Sequence, residues 1–224
     1  GRLGRAWWAP PGANLLMSLL LRPPLLARQA GQLPMCLGLA AIEGIAEVAG
    51  VRADLKWPND ILWRGRKLAG MLTELRLIGE RLDYAVLGLG VNVNLTFAPE
   101  TAAPAGLRDS ATSLLLATGR PLSRLTLLAA ILRRCEHWYE RLLAGESLHE
   151  AWAARLETVG RAVRVERPAG LLVGVAVGVT PEGGLIVRTA GGVEEVVWAG
   201  DISSLRDSVN PVDPSSSPFS PLHV

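Results

Sequence analysis

The stretch from Lys56 to Leu75, K-W-P-N-D-I-L-W-R-G-R-K-L-A-G-M-L-T-E-L, constrains the fold more than any other. Pro58 lacks a backbone donor and pushes Trp57 towards an extended conformation. Asn59-Asp60 is turn chemistry. Ile61 to Trp63 then reads as a short strand, Arg64-Gly65-Arg66 as a tight turn and Lys67 to Leu75 as a second strand. The result is an apolar hairpin with one lysine before its first strand and another at the start of its second. These are the only two lysines, against twenty-one arginines. In a composition this rich in Arg, Ala and Gly, arginine takes over wherever a cation alone suffices. Lys56 and Lys67 therefore mark positions that need a compact ammonium instead of a planar fork. Two apolar strands ending in cations beside an Asn-Asp pair describe the rim of an anion site. A surface hairpin with idle charges is the plainer alternative.

The rest of the chain frames that hairpin. Gly1 to Trp8 alternates small and basic residues, as in a loop whose backbone donors approach an anion. The first residue is Gly and not Met, so a segment upstream is expected. Asn14 to Leu21 reads as a strand. Pro34 to Ala49 reads as a helix, with Leu37, Ala41, Ile45 and Val48 on one face and Gly50 as its stop. Glu43 and Glu47, one turn apart, read as a solvated face in preference to an acid–base pair. Leu82 to Asn94 reads as an apolar strand in which Gly88 and Gly90 leave room for a ligand or another backbone. Residues 97–108 read as a loop.

Ser123 to Leu143 reads as an amphipathic helix packed through Leu125, Leu128, Leu132, Cys135, Tyr139 and Leu142. Ser147 to Glu150 has capping-box spacing and opens a last helix to about Glu157. After Gly160 the chain becomes Val-rich, with strands at 161–166, 171–179, 185–189 and 193–198 separated by Gly-rich turns. That pattern predicts a small β-barrel. Ser208 to Val224, rich in Pro and Ser, reads as a disordered tail. The expected domains are thus 1–158, 159–207 and the tail 208–224.

Several function classes fall away. A net charge of +2 does not indicate nucleic-acid or membrane binding. The three histidines show no metal-ligand spacing with Cys or carboxylates, and no metal site is expected. Cys36 and Cys135 read as small buried apolar residues of a reducing compartment. There is no G-x-S-x-G elbow, and Gly88-Leu89-Gly90 lacks the third glycine of a dinucleotide site. Arg2, Arg5 and the apolar Leu15 to Leu21 imitate a signal peptide, but Pro10-Pro11-Gly12 and Arg22-Pro23-Pro24 bracket the run and favour a buried strand. No apolar run is read as a membrane span.

K-W-P-N-D followed by R-K-L-A-G-M-L-T-E resembles the central signature of the biotin protein ligases, the biotin–acetyl-CoA-carboxylase ligases. Three further stretches agree in order: G-R-L-G-R-A-W-W-A-P-P-G-A-N-L from Gly1, G-L-G-V-N-V-N from Gly88, and A-T-S-L from Ala111. The resemblance runs from Gly1 to about Arg206. It implies a cytoplasmic enzyme that uses ATP and Mg2+ to activate biotin as biotinyl-5′-AMP, then passes the biotinyl group to a lysine of a biotin carboxyl carrier protein. The fold expected is α+β: a mixed, mostly antiparallel sheet with helices on one face, followed by the small C-terminal barrel.

By similarity, Lys56 would contact the carboxylate–phosphate junction. Gly1, Arg2 and Arg5 would belong to a loop closing over the adenylate, with Arg2 among the catalytic residues. Trp7 would pack on the adenine and Asn92 would lie on the nucleotide side. Leu68 to Leu72, including Gly70 and Met71, would run beside the biotin rings. Lys67 is either a nucleotide-phosphate contact or a plain surface lysine. The family's Ser/Thr-Asn motif, the Gln before its loop and the loop's first Gly-Arg would precede Gly1, as would any DNA-binding helix-turn-helix. Two rivals are a lipoate or octanoate ligase or transferase of the same fold, and a non-catalytic binding module.

Overall fold

The computed structural model describes residues 7–97, 103–104, 106–167, 170–198 and 200–204. Gly1, Arg2 and Arg5, and the Ser208 to Val224 tail, lie outside the described residues. The first sheet is built from β1 (Leu15–Leu21), β2 (Asp54–Lys56), β3 (Asp60–Trp63), β4 (Arg66–Ile78) and β5 (Arg81–Val91). Between β1 and β2 the chain makes a 3-10 turn at Ala27–Gln29 and helix α1 (Gln32–Ala49). The strand order is β1-β5-β4-β3-β2, and every pair is antiparallel. This corrects the expectation of a mixed sheet, since parallel pairing is confined to isolated bridges at Leu55–Leu156 and Lys67–Ala111. The β3–β4 hairpin turns through Arg64 and Gly65, both at positive φ (50° and 77°). Two left-handed central residues give a turn whose twist matches its strands.

After β5 come α2 (Leu107–Ser110), α3 (Leu114–Thr118), α4 (Arg124–Leu143) and α5 (His149–Ala153). The last helix is shorter than expected, and Ser147 does not cap it. The second sheet holds β6 (Ala162–Arg167), β7 (Gly170–Val179), β8 (Leu185–Arg188), β9 (Glu194–Val197) and β10 (Asp201–Ser204). Its order is β10-β6-β7-β8-β9, all antiparallel. Among the described residues β9 and β10 are the two edges and do not pair, so the expected barrel closure is not seen.

α1 is sandwiched between the first sheet and α4, which is why it is apolar almost all round. Leu33, Leu37, Leu39 and Ile45 are fully buried. By length and composition the helical run 27–49 could cross a membrane, contrary to the sequence reading, yet 61% of its most apolar window is buried inside the protein. α4 meets α1 through Leu127, Ile131, Cys135, Trp138 and Leu142. The expected stripe was partly misplaced: Leu125 is 78% exposed and Leu132 39%. Ser123 caps α4 by accepting from the Thr126 N–H, 3.2 Å.

Glu47 is exposed, as a solvated face predicts, and Glu43 is half-buried; both have partners on α4. Glu43 accepts from the Trp138 indole N–H, 3.1 Å, and Glu47 pairs with Arg133 and Arg134. The Arg134 guanidinium holds the Glu47 carboxyl below the usual carboxylate range. Cys36 and Cys135 are buried free thiols, 3.9 Å apart. The contact with Cys135, together with burial, pushes the Cys36 thiol up.

The α1–α4 approach depends on Gly44. A Cβ there would stand 2.7 Å from Ile131 Cγ1 and 3.0 Å from the Ile131 backbone. Gly44→Ala gains about 1 kcal/mol of helix propensity, but overpacking costs about 1–3 kcal/mol. The net expectation is destabilisation of about 1 kcal/mol, read as a lower midpoint in urea unfolding. An unchanged or higher midpoint would show that the two helices separate freely.

Candidate functional site

The sheet has one face on α1, and the opposite face carries Trp7. Met71 and Leu55 touch α1 at Gly38, so Gly70, one residue before Met71, points the other way. Register places Gly70 in a row that crosses all five strands: Leu16, Gly90, Gly70, Asp60, Lys56. The two glycines at its centre leave a flat floor, and the Trp7 indole lies on it. A Cβ at Gly90 would be 3.0 Å from Trp7 Cε2, and one at Gly70 3.0 Å from Trp7 Cζ3. The sequence reading of Gly90 as a close-approach site therefore finds its occupant in Trp7, while Gly88 lies beside Leu72. A cavity of about 400 Å³ opens beside the indole, lined by Trp7, Trp8, Lys67, Asp60, Gly70, Leu72, Gly88 and Asn92 among others. Trp7 Nε1 is buried with no hydrogen-bond partner among the described residues, a donor left open at the cavity wall.

Lys67 reaches this face because β4 is irregular. In a regular strand, residues 67 and 70 would point to opposite faces. The β3–β4 register shifts between Ile61 and Leu62, so that Ile61 pairs Ala69 while Leu62 pairs Lys67. The extra residue, Leu68, is buried, and the bulge turns Lys67 back onto the Gly70 side. There Lys67 Nζ lies 2.6 Å from Asp60 Oδ1 and 5.5 Å from the centre of the Trp7 ring. Asp60 is an acidic side chain of the cavity, and sequence reasoning saw it as turn chemistry at the rim of an anion site without naming it a site residue. Its signal was its place directly after Asn59 and opposite Gly70 in a hairpin whose register the turn fixes.

Asn92 closes the floor at the end of β5. It is 4% exposed; its Nδ2 donates to the Thr112 carbonyl (2.9 Å), and its Oδ1 accepts from Asn14 Nδ2 (3.3 Å). Asn94, its neighbour in the motif, is structural: it exchanges hydrogen bonds with the Leu122 backbone in both directions, 2.9 Å each. The A-T-S-L stretch is a helix start. Ser113 accepts from the Leu116 N–H (3.1 Å), donates to the Leu95 carbonyl (2.7 Å) and so caps α3 beside the cavity.

The structure thus brings together Trp7, Lys67, Gly70, Met71, Leu72 and Asn92. Lys56 shares the row but occupies the edge strand β2, beyond Asp60, and is not among the described residues lining the cavity. Its ammonium makes no ion pair among the described residues. The lysine that lines the cavity is Lys67. Adjacent strands are about 4.8 Å apart, so Lys56 lies roughly two such steps from Gly70.

Residues 1–92 match the Biotin/lipoate A/B protein ligase family, and residues 158–204 match the Biotin protein ligase C terminal domain. A biotin–[acetyl-CoA-carboxylase] ligase of Mycobacterium tuberculosis is 38% identical over 216 residues, covering 92% of this chain and 75% of its own length. The corresponding ligase of Paracoccus denitrificans is 32% identical, covering 90% of this chain and 84% of its own length. The bifunctional ligase/repressor of Bacillus subtilis is 33% identical over 89% of this chain, which spans 61% of that relative's length. Among solved structures, a biotin protein ligase from Aquifex aeolicus in complex with biotin and ATP superposes with a TM-score of 0.72 at 30% identity, covering 91% of this chain and 83% of that one.

Proposed function

Because the chain belongs to the biotin protein ligase family, we propose that it activates biotin with ATP and transfers the biotinyl group to a lysine of a biotin carboxyl carrier protein. The carrying observation is the Lys67–Asp60 pair at the mouth of an apolar, glycine-floored cavity. In the first step a biotin carboxylate oxygen attacks the α-phosphorus of ATP, and the bond to pyrophosphate breaks. Two anions must approach to about 4 Å, which costs roughly 4 kcal/mol at an effective dielectric of 20. A fixed cation aimed at the developing charge offsets that cost. Lys67 fills this role, which the resemblance alone would give to Lys56. Asp60 holds the Lys67 ammonium in place without burying it.

Trp7 offers its face to the adenine and its free N–H to an acceptor on the adenylate. Gly70 to Leu72 border the biotin rings, and Asn92 fixes the nucleotide end. Arg2 and its neighbours Gly1 and Arg5 would close over the adenylate. In the second step a carrier lysine amine attacks the acyl carbon and AMP leaves. Mg2+ arrives on the nucleotide's phosphates and is treated as part of that substrate. The reading takes the first sheet and its helices as the catalytic domain and the second sheet as a small C-terminal domain.

The test is ATP–pyrophosphate exchange with biotin or lipoate as the acid. Exchange with biotin and not with lipoate is expected. Exchange with lipoate would favour the lipoate reading, and none with either acid would favour a non-catalytic binding module.

A further inference from the structure

The second sheet is tied to the first directly behind the cavity. Trp57 is 2% exposed, and its indole N–H donates to the Gly183 carbonyl, 2.8 Å. Its backbone N–H donates to Thr158 Oγ1, 3.1 Å. Gly183 belongs to the β7–β8 turn, which is closed on itself by Gly183 N–H to Thr180 O (2.8 Å) and Thr180 N–H to Gly184 O (2.7 Å). The other side of this turn is seated at the start of α1. A methyl at Gly31 would overlap the Glu182 carbonyl oxygen, and a Cβ at Gly183 would lie 3.3 Å from Met35 Cε. The turn is therefore held in a slot between Gly31, Met35 and Trp57.

On its cavity side Trp57 leads through Pro58 into Asn59 and Asp60. Asn59 is bonded to β4 twice: its Nδ2 donates to the Met71 carbonyl (2.6 Å), and its own carbonyl accepts from the Met71 N–H (2.8 Å). One hydrogen bond thus ties the turn to Trp57, and the chain runs on from there through Pro58 and Asn59 to Asp60, which holds Lys67. Core packing alone asks for an apolar ring at position 57. A buried indole adds an N–H that must find a partner, and the partner found belongs to the other sheet.

We infer that the β7–β8 turn is a positioning element for the cavity, acting through Trp57 on the Asp60–Lys67 pair. The inference rests on the ligase reading above, because only there does the placement of Lys67 set a rate. Loss of the indole bond removes the link from Trp57 to the β7–β8 turn and leaves its backbone bond to Thr158, and a small displacement of a charge-bearing group costs rate before it costs affinity. Trp57 and Gly183 are positioning residues; neither lines the cavity.

Two variants test this by independent routes. Replacing Trp57 with benzothienylalanine keeps the ring shape and deletes the N–H. Gly31→Ala leaves Trp57 intact and lifts the turn; Gly31 has φ −61° and ψ −16°, which alanine adopts freely, so its one conflict is with Glu182. Single-turnover adenylate formation at saturating biotin and Mg-ATP should fall about tenfold in both. Biotin affinity should be unchanged, and the Met71 amide should exchange faster with solvent. A lower melting temperature with unchanged rate and unchanged Met71 exchange would overturn the inference, leaving the turn as a structural contact only. If the wild-type protein forms no adenylate, the ligase reading fails instead, and Met71 exchange still decides whether the turn holds the loop.

Discussion

Lys67→Met should slow adenylate formation by roughly a hundred- to a thousandfold, or about 3–4 kcal/mol, the scale of deleting one preorganised donor to a developing charge. The side chain is 37% exposed and stands on the cavity face of the sheet, so folding should survive the change. Lys67→Arg should recover only part of the loss. Lys67 Cε would lie only 3.1 Å from a Cβ at Gly70, and a planar fork does not fit the space of a point ammonium beside Asp60. Lys56→Met, one strand beyond Asp60, should cost no more than about tenfold. Single-turnover rates at saturating biotin and Mg-ATP measure all three. A Lys56→Met enzyme slower than Lys67→Met would return the junction role to Lys56.

Gly70→Val should be nearly as damaging by a different route. Its Cβ would press on both Trp7 and Lys67, the one 3.0 Å and the other 3.1 Å away. Valine suits a strand, and the position faces the cavity, so the sheet itself has no reason to fail. The cost falls on the seat of the indole. Overpacking of about 1–3 kcal/mol corresponds to biotin binding weaker by roughly ten- to a hundredfold. Calorimetric titration with biotin reads this directly, and an unchanged Kd would show that Trp7 can leave its floor without consequence.

The hairpin was legible because its turn residues and apolar runs agree on one answer. The floor was half legible: Gly88 and Gly90 announced close approach, while Trp7 entered only through the resemblance. The bulge at Leu68 was not. Nothing in R-K-L-A-G marks an extra residue, and without it the alternation of a strand sends Lys67 to the α1 face. That hidden shift is why Lys67 stands on the cavity face.

The α4 stripe was misplaced at Leu125 and Leu132 for another reason. Leu125-Leu128-Leu132 and Leu127-Ile131-Cys135 both satisfy helical spacing, and only the groove offered by α1 around Gly44 chooses between them. The partners of Glu43 and Glu47 were hidden in the same way, since Trp138, Arg133 and Arg134 lie on a helix far along the chain. β2 and β10, at three and four residues, are too short to show periodicity.

On the proposed function, this cavity makes an activated biotin for a carrier lysine. The most direct measurement is intact-mass and peptide-level mass spectrometry of a biotin carboxyl carrier domain incubated with the protein, biotin and Mg-ATP. One biotinyl group on one carrier lysine is expected, absent without ATP and absent when that lysine is changed to Arg. A carrier that stays unmodified while the protein remains folded and biotin-bound would contradict the account.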